Sequence, residues 1–181
     1  MAWLPGMEPR RPAQHDGDGD EWYTPPAYVR ALCAALGGSI DLDPCAAPSS
    51  PVAAVHRIDV RAGGDGLTDP WPGSGGVFCN PPYSNVGPWL ARCAAAGRDR
   101  LVVAMVPART EIGAWHDHVW PSAAVVFPRG RPRFVAPDGR VYGNGKVAIA
   151  LPCWSPFRTS AGLALRLVAA LAREGIPAVV R

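Results

Sequence analysis

Apolar and polar positions along this chain follow two periods, and the switches between them mark its elements. Apolar residues recur at helical spacing over Pro26–Leu36 and stop at Gly37-Gly38, which predicts a helix with a glycine C-cap. "SIDLD" (39–43) reads as a short strand ending in acidic residues, Val55–Val60 as a second strand and "GGVFC" (75–79) as a third. "VGPWLARCAAAG" (86–97) predicts a helix, and "RLVVAMVP" (100–107) is the strongest strand pattern. Trp115 lies in a predicted short helix, and "AAVVFP" (123–128) reads as another buried strand. "RPRFVAPDGRVYGNGKVAIALP" (131–152) predicts antiparallel strands joined by Asp-Gly and Asn-Gly turns. A helix over 159–175, N-capped by Thr159 or Ser160, and a closing strand over 176–181 complete the pattern. Residues 1–20, where scattered Pro, Gly and Arg lead into an acidic run, predict a mobile tail, with order beginning at Glu21.

Strands alternating with helices predict an α/β fold, a mostly parallel sheet covered on both faces, with an antiparallel hairpin towards the C-terminal part. No internal repeat divides the chain, so residues 21–181 read as a single domain. In such sheets ligands sit beyond the carboxyl ends of the strands. "DLDPC" (41–45) and "CNPPY" (79–83) each fall just after a predicted strand, which makes them two halves of one expected site.

Composition adds limits. The 181 residues are 48% hydrophobic, as expected of a soluble globular protein. Neither a charged-then-apolar leader nor a run of about 20 apolar residues is present, which predicts a cytoplasmic protein that does not span a membrane. Five cysteines (Cys33, Cys45, Cys79, Cys93, Cys153) without a CxxC pair read as reduced, buried thiols. The net charge of +3 permits nucleic-acid binding without arguing for it.

The chemistry concentrates at Asn80-Pro81-Pro82-Tyr83. Two prolines stop a strand and stiffen the corner, and Asn80, preceding one, is pushed into an extended conformation. An aromatic amino group is a poor nucleophile because its lone pair is delocalised into the ring. Two acceptors, the Asn80 side-chain carbonyl and the Pro81 main-chain carbonyl, would take its hydrogens and bind more strongly as charge develops. Tyr83 would stack on the base. The plainer alternative is a proline-rich turn with Tyr83 as packing.

The order of five segments, "EWYTPPAYVRAL", "DLDPCA", "DGLTDPW", "VFCNPPYS" and "RGRPRF", resembles the phage-type DNA N-6-adenine methyltransferase family. The resemblance implies a Rossmann-like methyltransferase sheet, S-adenosylmethionine as cofactor, DNA as partner and methyl transfer to the adenine amino group by base flipping. It also implies a phage, prophage or restriction-modification setting. Cofactor-binding positions implied are Trp22, Thr24 and Pro25 in the entry to the first helix, then Asp41, Asp43, Pro44 and Cys45. Thr24 and Pro25 match the motif that contacts the methionine part, and Asp65 an acidic residue that reads the cofactor's adenine amino group. The turn after the first strand carries no glycine, unlike many S-adenosylmethionine enzymes. Related enzymes carry Asp at the place of Asn80, which implies that Asn80→Asp retains activity. His116 and His118, without companions at ligand spacing, predict no metal site.

Arg129, Arg131, Arg133, Arg140 and Lys146 crowd around Phe134 and Tyr142. Such arginines contact phosphates, and an aromatic stacks on an unpaired base. The resemblance implies Phe134 as the second face of a base sandwich opposite Tyr83. Methylation of a protein glutamine or an RNA base amine, and a non-catalytic DNA-binding relic of the fold, are the readings in competition.

Overall fold

The computed structural model describes residues 22–136, 139, 141, 147–156 and 160–181. The expected tail, Thr159, Arg140, Tyr142, Lys146 and the Asn-Gly turn lie outside the described residues. In chain order the elements are α1 (Pro26–Ala35), β1 (Ile40–Ala46), β2 (Ala54–Asp59), β3 (Val77–Cys79), α2 (Val86–Ala96), β4 (Val102–Ala104) and β5 (Val106–Pro107). Then follow α3 (Gly113–His118), β6 (Ala124–Pro128), β7 (Ile149–Trp154), α4 (Ser160–Arg173) and β8 (Ala178–Val180).

The eight strands form one mixed sheet in the order β2-β1-β3-β4-β7-β6-β8, with β5 pairing β7. β1 pairs in parallel with β2 and β3, and β3 with β4. β7 runs antiparallel to β4, β5 and β6, and β8 antiparallel to β6. The first six strands therefore point one way, and β7 and β8 are reversed. The expected parallel start is present, and the described residues of the expected antiparallel part include β7 and the pair Val135 and Val141, which bridge antiparallel on either side of Gly139. Among the described residues Val135 makes isolated antiparallel bridges to Tyr23 and to Val141. Gly139 does take the left-handed conformation (φ 82°) that suits the second residue of an Asp-Gly turn.

Strand alternation sorts the core onto two faces. Phe78, Val103, Val126, Leu151 and Cys153 face α1 and α4, while Val77, Cys79, Val102, Ala104, Val125 and Ala150 face α2 and α3. α1 buries Tyr28, Ala31, Leu32 and Ala35, the one-face spacing of a helix, and gives way to Gly37 and Gly38, both at positive φ. Ser160 is the first residue of α4, and its hydroxyl donates to the Ser122 carbonyl at 3.0 Å rather than capping the helix. All five cysteines are free.

β1 runs further than expected, through Pro44 to Ala46. Its register moves from Asp43 opposite Arg57 to Ala46 opposite Asp59, one extra residue on β1. Pro44 has no N–H to donate, so the ladder breaks there and the strand bulges. "DPC" is thus a kinked strand end rather than a turn after it. Among the described residues no helix is long and apolar enough to cross a membrane.

Candidate active site

A cavity of about 480 Å³ opens at the carboxyl ends of β1, β2 and β3. It is lined by Trp22 and Thr24 from the entry segment, Asp43, Pro44 and Cys45 from β1, Asp65, and all of Asn80, Pro81, Pro82 and Tyr83. Two motifs that are remote in sequence thus meet, as the sheet topology requires.

Asn80 leaves β3 with its side chain held at one end. Its Nδ2 donates to the Trp22 main-chain oxygen at 3.0 Å and to Thr24 Oγ1 at 3.3 Å. A carbonyl only accepts, so the NH₂ end must face Trp22, and this fixes which way round the amide sits. Asn80 Oδ1 is consequently buried with no hydrogen-bond partner, and the Tyr83 hydroxyl is in the same state. Each unsatisfied buried group costs about 1–3 kcal/mol, so two in one cavity wall mark a place where partners are absent.

The aromatic residues pack edge to face. Tyr83 and Phe134 have centroids 6.1 Å apart with planes at 78°, and Trp22 and Phe134 are 6.3 Å apart at 68°. The expected sandwich of Tyr83 and Phe134 is therefore not formed: the rings touch directly, with no slot between parallel faces. Burial pushes the Tyr83 hydroxyl far above the usual phenol range.

The acidic residues separate into different roles. Asp43 is only 3% exposed and accepts from Cys45 N at 3.0 Å. Desolvation pushes its carboxyl up to about 6, against the opposing pull of that hydrogen bond and of Arg57. Asp65 sits exposed at the rim, where Leu67 N (2.9 Å) and Thr68 Oγ1 (3.0 Å) occupy its two oxygens and hold its carboxyl below the usual range. Gly66 beside it lies against the Pro44 carbonyl so closely that a Cβ would collide.

Asp41 and Pro25 do not line the cavity. Asp41 lies nearer the start of β1, and its Oδ2 accepts from Gly75 N and from the Arg100 guanidinium, both at 2.7 Å. The Pro25 carbonyl accepts from Tyr28 N and Val29 N at the start of α1. Cys45 lines the wall with its Sγ 3.6 Å from Cys79 Sγ, and burial pushes its thiol up to about 11, which disqualifies it as a nucleophile.

Asp59 is a cavity residue that the sequence reading passed over. It ends β2, and its Oδ1 accepts from Arg61 N at 2.9 Å. Its signal is an acidic residue at the carboxyl end of a strand beside the site, the position that reads ribose hydroxyls in open α/β sheets.

Arg129, Arg131 and Arg133 are exposed and lie outside the cavity wall. Arg131 and Arg133 alternate with buried Pro132 and Phe134. One side of this segment therefore packs beside Tyr83 and the other presents cations. Among the described residues no group of His, Cys, Asp or Glu is arranged to hold a metal ion.

The model of the DNA N-6-adenine-methyltransferase (Dam) family matches residues 12–176, nearly the whole chain. The chain belongs to this family. Comparison with curated proteins and with solved structures gave no significant match. Membership in the Dam family makes this an enzyme of DNA methylation, and DNA its substrate. In this Dam-family chain the clamped amide of Asn80 sits at the carboxyl edge of the sheet, over a cavity of the size small-molecule ligands occupy.

Proposed function

We propose that residues 21–181 act as a single methyltransferase domain, in the cytoplasm, that methylates the exocyclic amino nitrogen of an adenine flipped out of DNA, with S-adenosylmethionine as donor. The observation that carries this reading is the orphaned Asn80 Oδ1, an acceptor held ready with nothing to accept from. Two N–H hydrogens of an adenine amine match it and the adjoining Pro81 carbonyl. Both acceptors pull on the hydrogens, sharpen the nitrogen's lone pair and bind best as positive charge develops there. No side-chain base is required, because the amine sheds its proton to water after transfer.

The residues present fit the cofactor. Asp43, Asp59 and Asp65 put three carboxylates around one cavity, suited to an ammonium group, ribose hydroxyls and an adenine amino group. Bound there, S-adenosylmethionine supplies an electrophilic methyl group. Asp43, buried in the floor, carries a charge that only a cation or strong donors compensate. Thr24 and the Trp22 carbonyl hold the Asn80 amide, and Cys45 gives the wall a small, unreactive side chain.

The depth of Asn80 Oδ1 supports base flipping. Asn80 Oδ1 has no solvent access, so a base stacked in a duplex cannot reach it, and Trp22, Tyr83 and Phe134 part to admit an extruded one. The exposed Arg129, Arg131 and Arg133 then meet the flanking phosphates. The test is incubation with tritiated S-adenosylmethionine and DNA, RNA or protein, followed by nucleoside and amino-acid analysis. N-6-methyladenine in DNA is expected. Label confined to RNA or to glutamine would replace the substrate.

A further inference from the structure

Thr24 is 2% exposed, and its hydroxyl oxygen lies 3.3 Å from Asn80 Nδ2. Its frame is rigid. Pro25 and Pro26 follow it, and Tyr23 exchanges two main-chain hydrogen bonds with Val135, at 2.9 and 3.1 Å. The entry segment is thereby stapled to the stretch that carries Phe134. Both acceptors of the clamp, the Trp22 oxygen and Thr24 Oγ1, meet the same NH₂ group.

We propose that Thr24 is a positioning residue which, with the Trp22 carbonyl, locks the Asn80 amide so that its oxygen faces the amino substrate, and that this clamp makes Asn obligatory at position 80. The proposal rests on the reading that Asn80 accepts from an amine. An ionised Asp at position 80 would set a negative oxygen against the Trp22 oxygen, where the wild type has a donor 3.0 Å away. It would lose a hydrogen bond and gain a repulsion. The clamp predicts the opposite of the expectation from related enzymes, that Asn80→Asp keeps measurable activity where Asn80→Ala does not. A Thr hydroxyl accepts from Asn80 and still has its own O–H to donate, so a contact from Thr24 to a cavity ligand is compatible with the clamp.

The experiment has two arms. In the first, ¹⁵N-labelled protein without ligand is examined by NMR, and the Asn80 side-chain NH₂ pair is identified by its loss in Asn80→Ala. Its hydrogens exchange slowly in wild type and in Thr24→Ser, and about tenfold faster or more in Thr24→Val, which keeps the shape but not the acceptor. Wild-type exchange in Thr24→Val overturns the clamp. The second arm follows methyl transfer to DNA at pH 8. Thr24→Val lowers kcat at saturating cofactor by about 5- to 20-fold, the worth of one hydrogen bond, and Thr24→Ser restores the rate. Asn80→Asp is folded but melts below wild type, binds cofactor within a few fold of it, and is as inactive as Asn80→Ala. Loss of cofactor affinity alone in Thr24→Val, or a tenth of wild-type activity in Asn80→Asp, overturns the proposal. A wild-type protein that methylates nothing would sink the functional reading, and the exchange arm would still decide whether the clamp exists.

Discussion

The Arg100 guanidinium donates to Asp41 Oδ2 at 2.7 Å through Nη2, and its Nε and Nη1 donate to the carbonyls of Gly75, Pro72 and Gly73. One arginine thereby ties β1 to the loop that leads into β3, and so holds the two strands whose ends form the site. Arg100 is 8% exposed, so removing its partner leaves a charge cut off from water. Asp41→Ala is expected to destabilise the fold by about 2–4 kcal/mol, towards the range for breaking a buried pair. Cofactor affinity of the folded variant, measured by calorimetry at low temperature, should stay at the wild-type value. A loss of affinity without loss of stability would return Asp41 to the site.

Asp43 behaves oppositely. Its folded-state value of about 6 lies above the ordinary carboxyl value of 3.8, so the fold takes up a proton as pH falls through this window. The neutral form is favoured in the native state. Below about pH 4 the benefit is complete, and above about pH 6 the buried charge destabilises the fold by roughly 2–3 kcal/mol. Asp43→Asn should therefore melt at higher temperature than wild type at pH 8, with the gap closing as pH falls to 4. The same variant should bind S-adenosylmethionine more weakly, and lack the fall in affinity expected of wild type below pH 6. A gap that does not change with pH would mean that Asp43 is not titrating in this range.

Tyr83 carries a buried hydroxyl with no partner and a ring against Phe134. Tyr83→Phe removes the unsatisfied group and keeps the ring, so stability should rise by about 0.5–2 kcal/mol with turnover nearly unchanged. Tyr83→Ala should cost about 3–5 kcal/mol and most activity. Chemical denaturation and initial rates on the same preparations check both. A large rate loss in Tyr83→Phe would give the hydroxyl a role in binding the base.

The outward-facing arginines predict salt dependence. Charge removal at Arg131 or Arg133 should each lower the slope of log K for DNA against log salt by about one unit, leaving cofactor affinity unchanged. Filter binding across a salt series measures this. Slopes equal to wild type would move the DNA surface elsewhere.

Most helices and strands were legible because their signals are local. α1 and α4 follow from apolar spacing, and β3, β4 and β6 from short apolar runs. What escaped was non-local or depended on direction. Asp41 and Asp43 look alike in "DLDPC", and only the fold puts Arg100 beside the first and the cavity beside the second. The pairing of Tyr23 with Val135, which brings Trp22 to Phe134, joins chain segments with no local signature of contact. Asp59 reads as an ordinary strand end until β2 is seen beside β1 at the cavity.

The central claim is that the Asn80 carbonyl acts on the reacting amine and not on the fold or the cofactor. Its most direct measurement is single-turnover methyl transfer from tritiated S-adenosylmethionine to DNA by Asn80→Ala, beside a calorimetric titration of the same protein with cofactor. The account predicts a rate lowered by ~10²–10³, as for loss of one preorganised polar contact, with cofactor affinity within a few fold of wild type. Transfer at the wild-type rate would contradict it, and would leave Asn80-Pro81-Pro82-Tyr83 as no more than a stiff corner after β3.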